Sequence, residues 1–182
     1  ILAFNRAEWI EAMLAAFKLR AVPVNINFRY VEDELRYVFD NADVVALVYE
    51  RQFTPRLAAI RDSVPQLRHY LALDDGHAAD DAALDAQEYE RALAAQNDAP
   101  LGIERSGDDL YVLYTGGTTG MPKGTIWRHE DIFFGALQGG AATGGPPIGT
   151  PGEIVERVKT GFALSTVCPP PMMHGGGMWN AL

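Results

Sequence analysis

The sequence predicts an α/β fold built on a doubly wound, mostly parallel sheet, and three observations carry that expectation. Short apolar runs such as Val44-Val45-Ala46-Leu47-Val48 have the unbroken, β-branched character of parallel strands buried on both faces. Segments with apolar residues at helical spacing alternate with these runs, as crossover connections between parallel strands require. A strand at Asp109–Tyr114 then runs directly into a loop dense in glycine and threonine.

Taken in order, Glu8–Leu19 carries Trp9, Met13 and Phe17 on one helical face, with Ile10 and Leu14 beside them. Ala21–Ile26 reads as a short buried strand closed by Asn25, Asn27 and Arg29. A helix from about Val31 to Asn41 turns Leu35, Val38, Phe39 and Ala42 inward. Val44–Val48 is the next strand, Phe53–Ser63 a helix and His69–Leu73 a strand. Asp74–Pro100 is rich in Ala and Asp and predicts a solvated loop followed by a surface helix from about Leu84 to Gln96, with Tyr89 and Leu93 facing inward. Thr125-Ile126-Trp127 reads as strand. Gly139–Gly152 is dense in Gly and Pro and predicts a flexible excursion rather than a domain linker.

The 182 residues suffice for one domain with a real core and are too few for two large ones. The net charge of −9, with no Lys/Arg cluster, argues against nucleic acid as a partner. One cysteine, Cys168, fits a reducing, cytoplasmic setting. No run approaches the ~18 apolar residues of a transmembrane segment, and no basic-then-apolar leader is present. Both ends read as cut rather than finished, with Leu182 falling in what reads as the first turn of another helix.

The chemistry concentrates in Thr115-Gly116-Gly117-Thr118-Thr119-Gly120-Met121-Pro122-Lys123-Gly124. Glycines let successive backbone N–H groups close on an anion, and the threonines add hydroxyl donors. Lys123 supplies a full charge, worth about 4 kcal/mol against a phosphate at ~4 Å in an effective dielectric of about 20. Together these groups suit a triphosphate. A Walker loop is excluded, because Lys123 follows proline, precedes Gly124 and leads into strand rather than helix. A dinucleotide fingerprint is excluded too, since only Gly117-x-x-Gly120 matches it.

The string Tyr114–Gly124 resembles the phosphate-loop signature of the adenylate-forming superfamily, which includes acyl-CoA synthetases, aryl-CoA ligases, luciferases and peptide-synthetase adenylation domains. It departs from the usual pattern once, at Gly116, where a serine is common. Ala21–Asn27 with Arg29-Tyr30 resembles the family's early strand and turn, and Lys123–His129 the strand after the loop. Pro171-Met172-Met173-His174-Gly175-Gly176-Gly177-Met178 resembles the acyl-pocket motif, departing at Met173, where an aromatic is common. The resemblance implies that residues 1–182 are part of the large N-terminal domain of such an enzyme. The adenine-binding stretch, the ribose-binding aspartate and the C-terminal domain are not in this sequence.

By that resemblance, Lys123 and Thr119 take the catalytic roles. Thr115, Gly116, Gly117, Thr118, Thr119, Gly120 and Lys123 bind ATP, and His174, Gly175 and Gly176 border the carboxylic-acid substrate. ATP with Mg²⁺, a carboxylic acid and coenzyme A are the implied small-molecule partners, without a metal site built by the protein. Within the family an acyl-CoA synthetase is expected, the Gly175–Gly177 run leaving room for a long or bulky acid. An amino-acid adenylation domain and a non-catalytic nucleotide-binding fragment remain as other readings. His129 has the character of a residue positioning a strand-to-helix turn, Cys168 and Trp127 of packing, and Trp179 of packing at the pocket border. Asp108-Asp109 and Glu130-Asp131 read as caps and solvated charges.

Overall fold

The computed structural model describes residues 1–78, 80–116, 120–137, 139, 141, 145–161, 167–168 and 170–181. Its strands are β1 (Val24–Asn25), β2 (Ala46–Glu50), β3 (His69–Leu73), β4 (Gln87–Glu88), β5 (Leu110–Thr115) and β6 (Lys123–Arg128). Its helices are α1 (Ala7–Leu19), α2 (Glu32–Asn41), α3 (Thr54–Ile60), α4 (Tyr89–Ala94), α5 (His129–Asp131), α6 (Pro151–Thr160) and α7 (Gly175–Ala181).

The strands fall into two sets of three, β1-β5-β6 and β2-β3-β4, parallel throughout except for the β5–β6 pair. The backbone of Ile1 and Leu2 joins them. The Ile1 nitrogen donates to the Val24 carbonyl at 2.8 Å, and the Ile1 carbonyl accepts from the Ile26 N–H at 3.0 Å. Leu2 donates to the Val48 carbonyl at 2.9 Å and accepts from the Glu50 N–H at 3.1 Å. Both are parallel pairing patterns. The result is one run of strands, β4-β3-β2, then Ile1-Leu2, then β1-β5-β6.

Side chains alternate along the central strands, so β2, β3 and β5 each feed two cores. Leu47, Tyr49, Tyr70 and Tyr114 join α2 and α3 in one buried cluster, with Leu35, Val38, Phe39, Leu57 and Ile60. Leu73, Tyr111 and Leu113 turn the other way, toward Trp9 and Met13 of α1, Tyr89 of α4, Ile132 and Met178 of α7. Helices therefore cover both faces, as the apolar character of the strands predicts.

Several local expectations are corrected. In α1 only Trp9 and Met13 are fully buried, and Leu14 is turned outward, 43% exposed. β2 begins two residues later than the apolar run, leaving Val45 outside it and exposed. The helix read over Leu84–Gln96 contracts to Tyr89–Ala94. Gln87 and Glu88 are captured as a strand beside β3, and the Glu88 carboxylate then accepts from the Glu90 and Arg91 N–H groups and starts the helix there. That phase buries Tyr89 and exposes Leu93, while Leu84, ahead of the strand, is buried. In the Gly/Pro-rich stretch, the Ile148 N–H bonds the Gly139 carbonyl at 2.9 Å, and Pro151 already opens α6. No helix among the described residues is long and apolar enough to cross a membrane.

Phe39→Ala empties a site with no exposure and is expected to lower stability by about 3–5 kcal/mol. Leu14→Ala, on the outward side, is expected to change it by less than about 0.5 kcal/mol. Chemical denaturation at unchanged m-value compares the two directly.

Candidate functional site

The glycine-rich loop is the connection between β5 and β6. Their antiparallel register pairs Thr115 with Lys123 and Tyr114 with Gly124, so the hairpin stem holds both ends of the loop against each other. Thr115, Gly116, Gly120 and Lys123 are all exposed there. Gly117, Thr118 and Thr119 lie outside the described residues. Gly120 has φ +105°, a conformation closed to L side chains without strain, and its surroundings are open. Pro122 is buried beside it, anchoring the descending side of the loop. Among the described residues Lys123 has no carboxylate partner, which leaves its charge available to an anion.

The stem is fixed by close packing. A Cβ on Gly124 would lie 3.0 Å from the Val112 side chain and 3.1 Å from the Tyr114 ring. Tyr114 in turn donates its hydroxyl to Asn41 Oδ1, at the end of α2, at 2.6 Å. Burial raises the Tyr114 phenol, so it remains a donor at neutral pH. The last turn of the strand before the loop is therefore held from the first core.

The second segment, residues 170–176, is held from the other side. The Asn5 amide donates to the Pro170 carbonyl at 2.9 Å, and its oxygen accepts from the Met172 N–H at 2.7 Å. Asn25, 1% exposed and paired with Leu113, donates to the Met172 carbonyl at 3.1 Å. The His174 carbonyl then accepts from the Gly177 and Met178 N–H groups, both at 3.0 Å, as α7 begins. A Cβ on Gly175 would lie 3.0 Å from Leu113 and 3.1 Å from Trp179, so the helix start rests on β5 two residues before Thr115. The loop and His174–Gly176 thus share one end of β5.

The three glycines differ in what they do. Gly175 is buried against Leu113, and a side chain on Gly177 would collide with the Pro171 carbonyl. Only Gly176 faces open space, and His174 beside it is exposed. Close packing of the helix on the strand therefore accounts for two of them. Asn5, Asn25 and Asn41 were missed as positioning residues. An asparagine inside an otherwise apolar strand, as at Asn25, is the signal that could have found one of them.

Cys168 is a half-buried free thiol whose Sγ donates to the Gly177 carbonyl at 3.0 Å. Trp127 of β6 and Trp179 of α7 meet edge to face at 5.6 Å. The described residues include no group of three or more His, Cys, Asp or Glu able to hold a metal ion.

The fold and this strand-borne loop define the class of AMP-binding enzymes. The family model for AMP-binding enzymes matches residues 1–182, and the chain belongs to that family. It is 42% identical over 182 residues to the medium-chain acyl-CoA ligase Mig of Mycobacterium avium, covering 99% of this chain and 32% of that protein. It is 42% identical over 176 residues to a 3-oxocholest-4-en-26-oate–CoA ligase of Rhodococcus rhodochrous, covering 96% of this chain and 32% of that one. The chain therefore spans about a third of the length of these relatives, 32% in each case. An anthranilate CoA ligase bound to anthranoyl-AMP superposes with TM-score 0.66 at 26% identity over 78% of this chain and 26% of its own. The N-terminal domain of FACL13 from Mycobacterium tuberculosis shares the fold at TM-score 0.70 and 23% identity, over 98% of this chain and 39% of its own.

Tyr114→Phe deletes the donor to Asn41 and is expected to cost about 0.5–1.5 kcal/mol in chemical denaturation. Gly124→Ala, which presses on the same ring, is expected to cost at least as much.

Proposed function

We propose that the protein to which this chain belongs activates a carboxylic acid with ATP and passes the acyl group to coenzyme A. A carboxylate oxygen attacks the α-phosphorus, the bond to the β-phosphate breaks, and pyrophosphate leaves. The coenzyme A sulfur then attacks the acyl carbon, and AMP leaves with the electron pair of the mixed anhydride. The observation that carries this reading is the Tyr114–Gly124 segment, its two ends paired across β5 and β6, in a chain of the AMP-binding family.

In this reading Lys123 and Thr119 stabilise charge developing on the departing phosphates. Thr115, Gly116, Gly117, Thr118 and Gly120 cradle the triphosphate with hydroxyl and backbone N–H donors. His174 and Gly176, exposed at the same end of β5, border the carboxylate and the incoming thiol, while Gly175 positions them through its contact with Leu113. Mg²⁺ accompanying ATP would supply positive charge against the phosphates.

A medium- to long-chain or similarly bulky acid is the substrate class. Support comes from the relatives named as medium-chain and 3-oxocholest-4-en-26-oate ligases. The single cysteine supports a reducing, cytoplasmic setting, and the net charge of −9 supports small-molecule partners rather than nucleic acid.

Carboxylate-dependent ATP–pyrophosphate exchange on the full-length enzyme tests the proposal. Exchange is expected with medium- and long-chain acids, and Lys123→Ala is expected to reduce it by about 10²-fold or more. Exchange with amino acids alone, or an unimpaired Lys123→Ala variant, would refute the assignment.

A further inference from the structure

Pro169-Pro170-Pro171 leads into Met172-Met173-His174. Proline has no N–H, so a triple-proline run cannot be held by a strand ladder. Its carbonyls need donors, and the first N–H after the run is that of Met172. A side-chain amide meets both needs, because it carries donors and an acceptor on one planar group.

Asn5 supplies that amide. Its Nδ2 donates to the Cys168 carbonyl at 3.1 Å and to the Pro170 carbonyl at 2.9 Å, and its Oδ1 accepts from the Met172 N–H at 2.7 Å. Asn25 adds a donor to the Met172 carbonyl at 3.1 Å from β1. Met173 is buried, so the backbone is fixed up to His174, whose side chain is exposed. Asn5 is itself exposed, and its substitution opens no core cavity.

The base of this clamp is rigid. The Phe4 N–H, just before Asn5, donates to Glu50 Oε1 at 3.1 Å, and the Arg6 guanidinium, just after it, lies 3.6 Å from the same oxygen. Glu50 is buried at the end of β2, where Gln52 donates to its other oxygen at 2.7 Å. Asn5 is therefore tied through Glu50 to the parallel β2–β3 pair, the strands that do not carry the glycine-rich loop.

That loop has a different support. Thr115 and Lys123 are paired across β5 and β6, and Tyr114 is held by Asn41 of α2. Among the described residues, no hydrogen bond of the Asn5 side chain reaches β5, β6 or α2. Asn25 lacks this independence, since its strand pairs directly with β5.

Resting on the acid-activation reading above, we infer that Asn5 is a positioning residue that sets His174 against the carboxylic acid and the coenzyme A thiol, separately from the ATP-binding loop. The site then has two halves on separate supports. Loss of the Asn5 amide frees the Pro170–Met172 backbone while Thr115 and Lys123 stay paired.

The test uses the full-length enzyme and reads the halves apart, as kcat/KM for hexadecanoate and for coenzyme A, and as the Kd for ATP without acid. Asn5→Ala is expected to lower both kcat/KM values about tenfold and to leave the ATP Kd within about twofold. Asn5→Asp keeps the acceptor for Met172 but sets a carboxylate against two carbonyls, and is expected to lose at least as much. Asn5→Gln retains donor and acceptor and is expected to recover about half of the loss or more. Parallel losses on ATP, acid and thiol in folded variants, unchanged acid and thiol kinetics, or a Gln variant no better than Ala would overturn the inference and leave acid activation intact. Absence of pyrophosphate exchange with every acid in the unaltered enzyme would overturn the activation reading and, with it, the role given to Asn5.

Discussion

The strand β5 is the constraint on which the rest of the molecule depends. It is hydrogen-bonded on both edges, in parallel to β1 and antiparallel to β6, and it is buried on both faces. Tyr111 and Leu113 face one core while Val112 and Tyr114 face the other. A strand confined in this way can neither slide nor rotate, because a one-residue slip would exchange its two faces. The glycine-rich loop leaves from its end, α7 rests on Leu113, and β6 carries His129 away in a fixed direction.

That confinement explains how the two ends of the glycine-rich loop are held in place. Glycine contributes no side-chain contacts, so its position must come from its neighbours. Here they are the Thr115–Lys123 pairing, the buried Pro122 and the Tyr114 hydroxyl on Asn41. The segment bearing His174 is fixed by the same means, through Asn5 and Asn25 rather than through its own side chains. Both segments combine an exposed polar surface with a buried, hydrogen-bonded frame, the arrangement that preorganised sites require.

Much of this was legible in the residues. Continuous β-branched runs, helical spacing and the strand-loop-strand spelling at Asp109–Trp127 lead to the right fold class and loop because each signal is local. The misreadings have a common cause. Leu14, Val45 and Leu93 are apolar residues in amphipathic or apolar contexts, yet each is exposed. Which flank of an apolar stripe meets the core depends on the angle of approach of the element, set by partners distant in sequence. Glu88 is the clearest example: capture of Gln87 and Glu88 by β3 moves the helix start and turns Leu93 outward.

The sequence by itself determined the class of the fold and the location of the glycine-rich loop between two strands, since these follow from residue type and spacing over a few neighbours. The tertiary structure alone decided how Ile1 and Leu2 join the strand sets, that Gly175 and Gly177 serve close packing while Gly176 faces outward, and that Asn5 holds the backbone ahead of His174. Those facts rest on contacts between residues far apart in the chain. Whether a given glycine or histidine faces a neighbour or open space is a property of the space around it, which no local pattern encodes.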